Sequence, residues 1–118
     1  MPRFLLHDDF TTSNVRQRRG RPGGVVDFDL CHVGIRAWEL VIARLQRAPA
    51  LLDGYRAEAA ALGIPLTAEE TEALPAVYRV FRAGMIGWAL VDGAQLGAVN
   101  EAFIRVQLQK LRLGLGRL

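Results

Sequence analysis

Two short polar segments near the start of the chain constrain its fold more than any other feature. Residues 7–14 (HDDFTTSN) follow a short apolar run, and residues 25–29 (VVDFD) place acidic residues directly after two valines. Between them, the glycines and proline of residues 18–23 (RRGRPG) exclude a helix and favour a turn. The chain therefore doubles back here, and we predict a two-stranded ribbon around this turn. The predicted strands are residues 4–6, 15–17 and 24–28.

Apolar residues recur at helical spacing from residue 35 onward, which predicts four helices. The predicted helices run from residue 35 up to Pro49, over residues 49–62, from Thr67 to a break at residues 92–93, and over residues 95–113. Thr67 and Glu70 have the spacing of a capping box, and Gly63 is expected to end the second helix.

The last two helices each carry an apolar stripe that we interpret as core. The stripes are Leu74, Val77, Tyr78, Phe81, Met85 and Trp88 in the third helix, and Val99, Phe103, Val106 and Leu111 in the fourth. Gly84 and Gly87 weaken the third helix, so we expect another helix to approach it closely there.

The order and spacing of the polar residues fit a phosphoryl-transfer site. Protein kinases carry a catalytic loop H-R-D-x-x-x-x-N, whose aspartate accepts the hydroxyl proton and whose asparagine binds Mg²⁺, followed by a D-F-G aspartate that also binds Mg²⁺. Asp9 and Asn14 have the same separation, and Asp27 follows two β-branched residues. Each residue alone could be an ordinary turn former, so the interpretation rests on their occurring together in this order.

The two segments are closer still to the H-G-D-x-x-x-x-N and I-D-F-D motifs of the aminoglycoside phosphotransferase and choline kinase-like family. Residues 34–40 (GIRAWEL) resemble that family's G-x-R-x-x-D-L segment. The resemblance implies an α+β, mostly α fold: a protein-kinase-like C-terminal lobe with a short hairpin and catalytic loop packed on about four helices, without the N-terminal lobe. It implies one domain over residues 1–118, with the loop and ribbon in 1–33 and a helical subdomain in 34–118.

The resemblance also implies a role for each polar residue of the site. The catalytic base would be Asp9, the Mg²⁺ ligands Asn14 and Asp27, and the structural supports of the loop His7 and Glu39. Asp29 could assist the metal site or only solvate the end of the strand, and both interpretations stay open.

Two positions depart from the family pattern. Asp8 stands where the family usually has Gly or Asn, which places two carboxylates side by side. If the backbone is extended there, Asp8 and Asp9 point to opposite faces and one alone enters the site; if it is not, Asp8 would make Asp9 a poorer anionic partner for the hydroxyl. Glu39 replaces the usual Asp. Arg36 could pair with Glu39 or with the loop, and we expect an exposed pair with Glu39.

The implied activity is ATP- and Mg²⁺-dependent phosphorylation of a hydroxyl on a small molecule. The acceptor stays open among an antibiotic, choline, homoserine and other alcohols.

The family's N-terminal lobe supplies a glycine-rich phosphate loop and a lysine. Here the one lysine is Lys110, and Gly23-Gly24 lies in a turn. We therefore expect the C-terminal part of a phosphotransferase, inactive alone, which binds ATP only if an N-terminal lobe is supplied. The alternative is a non-catalytic remnant that acts as an interaction or self-association module.

Composition bears on location and partners. The single Cys31 cannot form an intramolecular disulfide and no charged-then-apolar leader opens the sequence, so we expect a cytoplasmic protein. Residues 83–99 are apolar but contain Asp92 and several glycines, so we expect a buried helix and no membrane partner.

Four arginines within residues 16–21 suggest a nucleic-acid partner, but no aromatic residue or known motif accompanies them. We interpret them as a polar hairpin and disfavour a nucleic-acid partner. Nucleic-acid binding through the hairpin stays open as a third hypothesis, which predicts a steep salt dependence.

Overall fold

The computed structural model describes residues 1–45 and 49–114, and the chain forms two compact units, Met1–Ala73 and Leu74–Leu118. The elements are β1 (Phe4–Leu6), a 3₁₀ turn (Thr12–Asn14), β2 (Val15–Arg18), β3 (Arg21–Val25), β4 (His32–Gly34), α1 (Arg36–Leu45), α2 (Pro49–Ala61), α3 (Ala68–Leu96) and α4 (Glu101–Leu113). The predicted mostly helical α+β class with four helices is therefore confirmed. That residues 1–118 form one domain stays a prediction.

The strands form two small antiparallel sheets, β1 with β4 and β2 with β3. The β2–β3 turn is only Arg19 and Gly20, whose φ angles of 51° and 74° are those of a two-residue hairpin turn. The predicted turn over residues 18–23 was therefore too long, and the second strand lies earlier than residues 24–28. It ends at Val25 because Asp27 adopts a φ of 67°, which interrupts extended backbone.

Strand β4 was missed by the sequence analysis. Three residues are too few to show a period of two, and only pairing with β1 defines this strand. Gly34 faces Phe4 in the register, and a Cβ at Gly34 would lie 2.9 Å from Leu6 Cδ1. A side chain there would therefore require the buried Leu6 side chain to move.

The core of the first unit lies between β1, α1 and α2. Its buried apolar side chains are Leu6, Ala37, Leu40, Val41, Ile42, Leu52 and Ala59. Helix α2 ends as predicted at Gly63, which has a φ of 74° and allows the Ile64 N–H to donate to Ala59 O at 2.9 Å. The predicted continuation of the first helix to residue 48 lies outside the described residues.

The predicted capping box at the start of α3 is confirmed. Glu70 N donates to Thr67 Oγ1 at 3.2 Å, and Thr67 N donates to Glu70 Oε2 at 2.9 Å. These two reciprocal bonds satisfy backbone donors that have no partner inside the helix.

Replacing Thr67 by alanine is expected to lower the free energy of unfolding by about 1 kcal/mol, because Glu70 N loses its acceptor. The measurement is urea unfolding followed by circular dichroism. The matched control is Thr71→Ala, whose exposed hydroxyl donates only to Thr67 O, four residues earlier. We expect that control to stay within about 0.5 kcal/mol of wild type, and equal losses in the two variants would contradict the capping role.

Arg36, at the start of α1, is buried, with 2% of its surface exposed, and it pairs with Glu70 rather than with Glu39. Its Nε donates to Glu70 Oε1 at 2.6 Å and its Nη2 to Glu70 Oε2 at 2.8 Å. The remaining donors reach Ile64 O at 2.6 Å and Pro65 O at 2.7 Å. The predicted exposed pair with Glu39 is therefore wrong, because all three guanidinium nitrogens donate to partners 28 to 34 residues away.

This pair changes the acid–base behaviour of both side chains. Hydrogen bonds from Arg36 lower the pKa of the Glu70 carboxyl to about 2, against the opposing effect of burial. The hydrogen bond with Glu70 raises the pKa of Arg36. Both side chains are therefore charged at neutral pH, and the pair joins the start of α1 to the start of α3 within the first unit.

In the second unit, α3 continues through Asp92 and Gly93, so the predicted break there is wrong, and α4 begins at Glu101 rather than at residue 95. Gly93 is instead a point of close approach, since a Cβ there would lie 2.7 Å from Val99 Cα. The turn forms at Gly97, with a φ of 75°, and Asn100 caps α4 by accepting Phe103 N at 3.0 Å.

The apolar stripes of this unit are only partly core. Leu74, Val77 and Tyr78 are buried as predicted, whereas Trp88 is 63% exposed and Val106 is 45% exposed. Val99 is exposed as well. Among the described residues of this unit, no atom outside α3 lies within 4 Å of a Cβ built on Gly84 or Gly87, so the unit contains no close helix approach at those glycines. No helix in the described part of the chain is long and apolar enough to span a membrane.

Candidate active site

The backbone of residues 7–9 is held by one carboxylate from α1. Glu39 Oε2 accepts His7 N at 2.8 Å and lies 3.4 Å from Asp8 N. Helix α1 therefore lies directly against the start of the loop, and the extra methylene of Glu39 relative to Asp does not prevent contact. This is the geometry that the predicted supporting role of Glu39 requires.

His7 connects the loop to the segment that precedes Asp27. Its Nδ1 accepts the backbone N–H of Asp9 at 3.2 Å, so the ring proton lies on Nε2, which donates to Val26 O at 2.8 Å. The ring also packs against Phe28, with centroids 4.6 Å apart. Because His7 is buried and both ring nitrogens are engaged within the loop and hairpin, neither nitrogen is available to a substrate.

Asp9 and Asn14 are in direct contact through their side chains. Asn14 Nδ2 donates at 2.9 Å to Asp9 O and at 2.9 Å to Asp9 Oδ2. Both acceptors are oxygens, so the Nδ2 end of the amide faces Asp9 and Asn14 Oδ1 points away from it. Within the described residues, no hydrogen bond reaches Asp9 Oδ1 or Asn14 Oδ1. The pair therefore presents two available oxygens.

Asp27 is brought next to Asn14 by the return of the hairpin. Val26 N donates to Asn14 O at 3.0 Å, and Asp27 follows directly with an exposed side chain. Its positive φ is one that Asp tolerates better than most residues. Asp29, two residues on, is exposed as well. The structure therefore places Val26 beside Asn14, with Asp27 one residue beyond that contact and Asp29 farther along the same segment.

The donor set fits Mg²⁺ only together with other ligands. Among the described residues, no group of three or more His, Cys, Asp or Glu side chains could hold a metal ion by itself. Mg²⁺ is commonly bound by one or two carboxylates, with substrate phosphates and water completing its shell. One amide oxygen from Asn14 and one carboxylate from Asp27 match that requirement when a nucleotide supplies the remaining oxygens.

Comparison with known families identifies the family of the chain. The family model described as the phosphotransferase enzyme family matches residues 1–83. The chain belongs to this family. The match covers the loop, the hairpin, α1, α2 and the first part of α3. No curated protein and no solved structure matches the chain.

Asp8 has a structural role in this family member that its sequence position did not predict. Its φ of 67° shows that the backbone is not extended, a conformation that Gly and Asn also adopt readily. Its carboxylate accepts a hydrogen bond from Trp38 Nε1 and lies 3.6 Å from His32 Nδ1. Asp8 therefore contacts α1 and β4, while Asp9 contacts Asn14.

Trp38 and His32 were not predicted to contact the loop. Trp38 falls within the apolar pattern that begins at residue 35, but the N–H of a buried indole needs an acceptor, and that need was the available signal. His32 lies in the strand that the sequence did not reveal. No local pattern relates His32 to Asp8, 24 residues earlier, so this contact depends on the β1–β4 pairing.

Proposed function

We propose that this chain supplies the catalytic base and the Mg²⁺ ligands for ATP-dependent phosphorylation of a hydroxyl on a small molecule. The observation that carries the proposal is the Asp9–Asn14 contact, which anchors one carboxylate oxygen of Asp9 and leaves the other available. Membership of the phosphotransferase enzyme family supports the reaction class. The fold we propose is the C-terminal lobe of a kinase-like phosphotransferase.

In this proposal Asp9 Oδ1 accepts the proton of the acceptor hydroxyl as negative charge develops on that oxygen. Asn14 Oδ1 and the Asp27 carboxylate would hold Mg²⁺, which would supply charge neutralisation at the nucleotide phosphates. His7 and Glu39 hold the loop in place through the contacts described above. Such positioning matters because phosphoryl transfer depends on alignment and charge neutralisation more than on covalent chemistry by the protein.

We further propose that the 118 residues alone do not turn over, because other residues must hold the rest of the nucleotide. Kinases contact the phosphates with a glycine-rich loop and a lysine, whereas the one lysine here, Lys110, lies in α4. We expect no transfer of labelled phosphate from ATP to a panel of alcohols by the chain alone. Measurable transfer would contradict this part of the proposal and support the assigned chemistry.

Replacing Asp27 by alanine is expected to weaken divalent cation binding at least about tenfold, because half of the protein's donor set is lost. The probe is Mn²⁺, which takes the place of Mg²⁺ and broadens nearby amide NMR signals. In the wild type we expect the broadening to centre on residues 9–14 and 26–28. The matched control is Asp53→Ala, which removes an exposed carboxylate from α2 and should leave the broadening unchanged.

The same titration decides the role of Asp29. If Asp29 assists the metal, Asp29→Ala should reduce Mn²⁺ binding as Asp27→Ala does; if it only solvates the chain, it should behave as Asp53→Ala. Equal binding by Asp27→Ala and Asp53→Ala would contradict the assignment of Asp27 as a ligand.

A second candidate function, self-association, is favoured by an exposed apolar face on the first unit. Leu5 and Val33 are directly opposite each other in the β1–β4 register and are 72% and 61% exposed. Phe28 and Leu30 are also more than half exposed. Exposed apolar side chains grouped in this way are typical of interaction surfaces.

Self-association through this face predicts a sedimentation mass that increases with protein concentration. The double variant Leu5→Ser/Val33→Ser is then expected to sediment as a monomer, because cross-strand apolar area is lost on one face. A matched control, Leu62→Ser, removes a leucine of similar exposure, 66%, at the end of α2. A wild-type protein that is monomeric at all concentrations would contradict this candidate function.

A further inference from the structure

The β2–β3 hairpin carries the entire positive charge excess of the protein. Four arginines lie within it: Arg16, Arg18, Arg19 and Arg21. Removing them from the 15 basic residues leaves 11, against 12 acidic residues in the chain. The rest of the chain is therefore close to neutral, while residues 16–24 hold four positive charges and no acidic residue. The basic pI of the protein is therefore due to the arginines of the β2–β3 hairpin.

The register places three of these arginines on one face of the ribbon. The pairing shifts between Arg16 and Gln17, where Gly23 of β3 is left without a partner, but β2 itself continues without an extra residue. Arg16 and Arg18 are two positions apart on β2, so their side chains point to the same face. Arg21 lies directly opposite Arg18, and cross-strand partners share a face. Gly24 lies opposite Arg16 and adds no side chain there. The hairpin therefore presents a basic face formed by Arg16, Arg18 and Arg21, which we call the arginine face.

The arginine face is free to bind an external anion. Every residue from 16 to 24 is exposed, and in the described part of the chain none of the four arginine side chains has an ion pair or hydrogen bond. Like charges held close together on one surface repel one another, and a polyanion laid across them would relieve that repulsion.

We propose that the arginine face binds the phosphate backbone of duplex DNA independently of base sequence. A two-stranded ribbon fits the major groove of B-DNA, which is about 12 Å wide, and the planar fork of arginine matches phosphate oxygens. The major groove of duplex RNA is deep and narrow, so it does not admit this ribbon. This function goes beyond the proposed phosphotransfer and does not depend on it.

The composition of the hairpin argues against other polyanions. Residues 16–24 contain no aromatic side chain on which the bases of a single strand could stack. Apart from Pro22 they contain no apolar side chain that could enter a lipid surface. The sequence alone favoured a solvated polar hairpin because no aromatic residue or nucleic-acid motif accompanies the arginines. The observed register adds which of the arginines share a face.

The test is fluorescence anisotropy of a labelled duplex of about 20 base pairs, titrated with the full chain between 20 and 200 mM KCl. For the wild type we expect log K to fall with log [KCl] with a slope of about −3, because each neutralised phosphate contributes about −0.9. For Arg16→Gln/Arg18→Gln/Arg21→Gln we expect a slope near zero to −1 and at least about tenfold weaker binding at 20 mM KCl. Arg19 is kept because its positive φ belongs to the turn.

The matched control removes the same charge elsewhere. Arg56, Arg79 and Arg105 are exposed residues of α2, α3 and α4, and their triple replacement by glutamine should leave the slope unchanged. Equal losses in the two triple variants would overturn the proposal, because net charge rather than the arginine face would then determine binding. Absence of salt-dependent binding by the wild type would also overturn it.

Three further probes separate duplex DNA from other anions. Equal or tighter binding to duplex RNA, to vesicles with about 30% phosphatidylserine, or to polyglutamate would overturn the assignment to duplex DNA. If the triple variant does not fold by circular dichroism, Arg18→Gln alone is expected to reduce the slope by about 0.9. An unchanged slope in a folded Arg18→Gln variant would contradict the proposal.

Discussion

Replacing Glu70 by glutamine is expected to lower the free energy of unfolding of the first unit by about 3–5 kcal/mol. The two side chains have nearly the same shape, but glutamine leaves the guanidinium of Arg36, 2% exposed, without a countercharge. Both carboxylate oxygens are in use: Oε1 accepts Arg36 Nε at 2.6 Å, and Oε2 accepts Arg36 Nη2 at 2.8 Å and Thr67 N at 2.9 Å. An amide offers one acceptor, and its NH₂ group would face a donor.

The neighbouring residue provides the matched control. Glu69 lies in the same first turn of α3, but its side chain is 64% exposed, and its ion pair is a 3.6 Å contact with the amino group of Met1. We expect Glu69→Gln to change stability by no more than about 0.5 kcal/mol. Urea unfolding followed by Trp38 fluorescence in a Trp88→Phe background restricts the signal to the first unit. Equal losses in the two variants would show that burial of the Arg36–Glu70 pair has no special effect.

Acid is expected to remove the same stabilisation without any mutation. The pKa of Glu70 is about 2 in the folded protein, against an ordinary value of 4.5 that applies to the unfolded chain. As the pH falls, Glu70 is therefore protonated first in the unfolded chain. The contribution of this carboxylate is therefore complete above pH 4.5 and is lost progressively as the pH falls toward 2. We expect the urea midpoint of the wild type to decline through this range.

The Glu70→Gln variant separates this group from the other carboxylates. It lacks the titrating side chain, so its urea midpoint should change less between pH 4.5 and pH 2, and the two proteins should approach each other at the acid end. Glu69→Gln should follow the wild type throughout. Parallel curves for wild type and Glu70→Gln would mean that protonation of Glu70 does not contribute to acid unfolding.

The elements that sequence predicted correctly are those set by residues close together in the chain. The capping box of Thr67 and Glu70 and the stop at Gly63 each depend on contacts within one or two helical turns. Gly93 shows the limit of such reasoning. A glycine in a helical pattern indicates either an end or a close approach, and only the position of Val99 distinguishes the two.

The order and spacing of the site residues could be predicted from the sequence. Most of the contacts that their side chains make could not. The spacing of Asp9 and Asn14 matched a known loop, and the structure adds the hydrogen bond between their side chains. The orientation of Asp8 was not predictable, because its positive φ and its Trp38 partner depend on how α1 packs against the loop. The catalytic and metal-binding roles of Asp9, Asn14 and Asp27 stay predictions.

The sequence by itself determined the phosphotransferase family, the helical character of residues 35–113 and the hairpin that returns Asp27 toward Asn14. These follow from motif spacing and from periodicity, which are local properties. Only the tertiary structure decided that Arg36 is buried with Glu70, 34 residues away, and that three arginines share one face of the β2–β3 ribbon. The physical reason is that ion pairing and strand register depend on which distant segments exclude water together, and a shift of one residue in register moves every side chain to the opposite face.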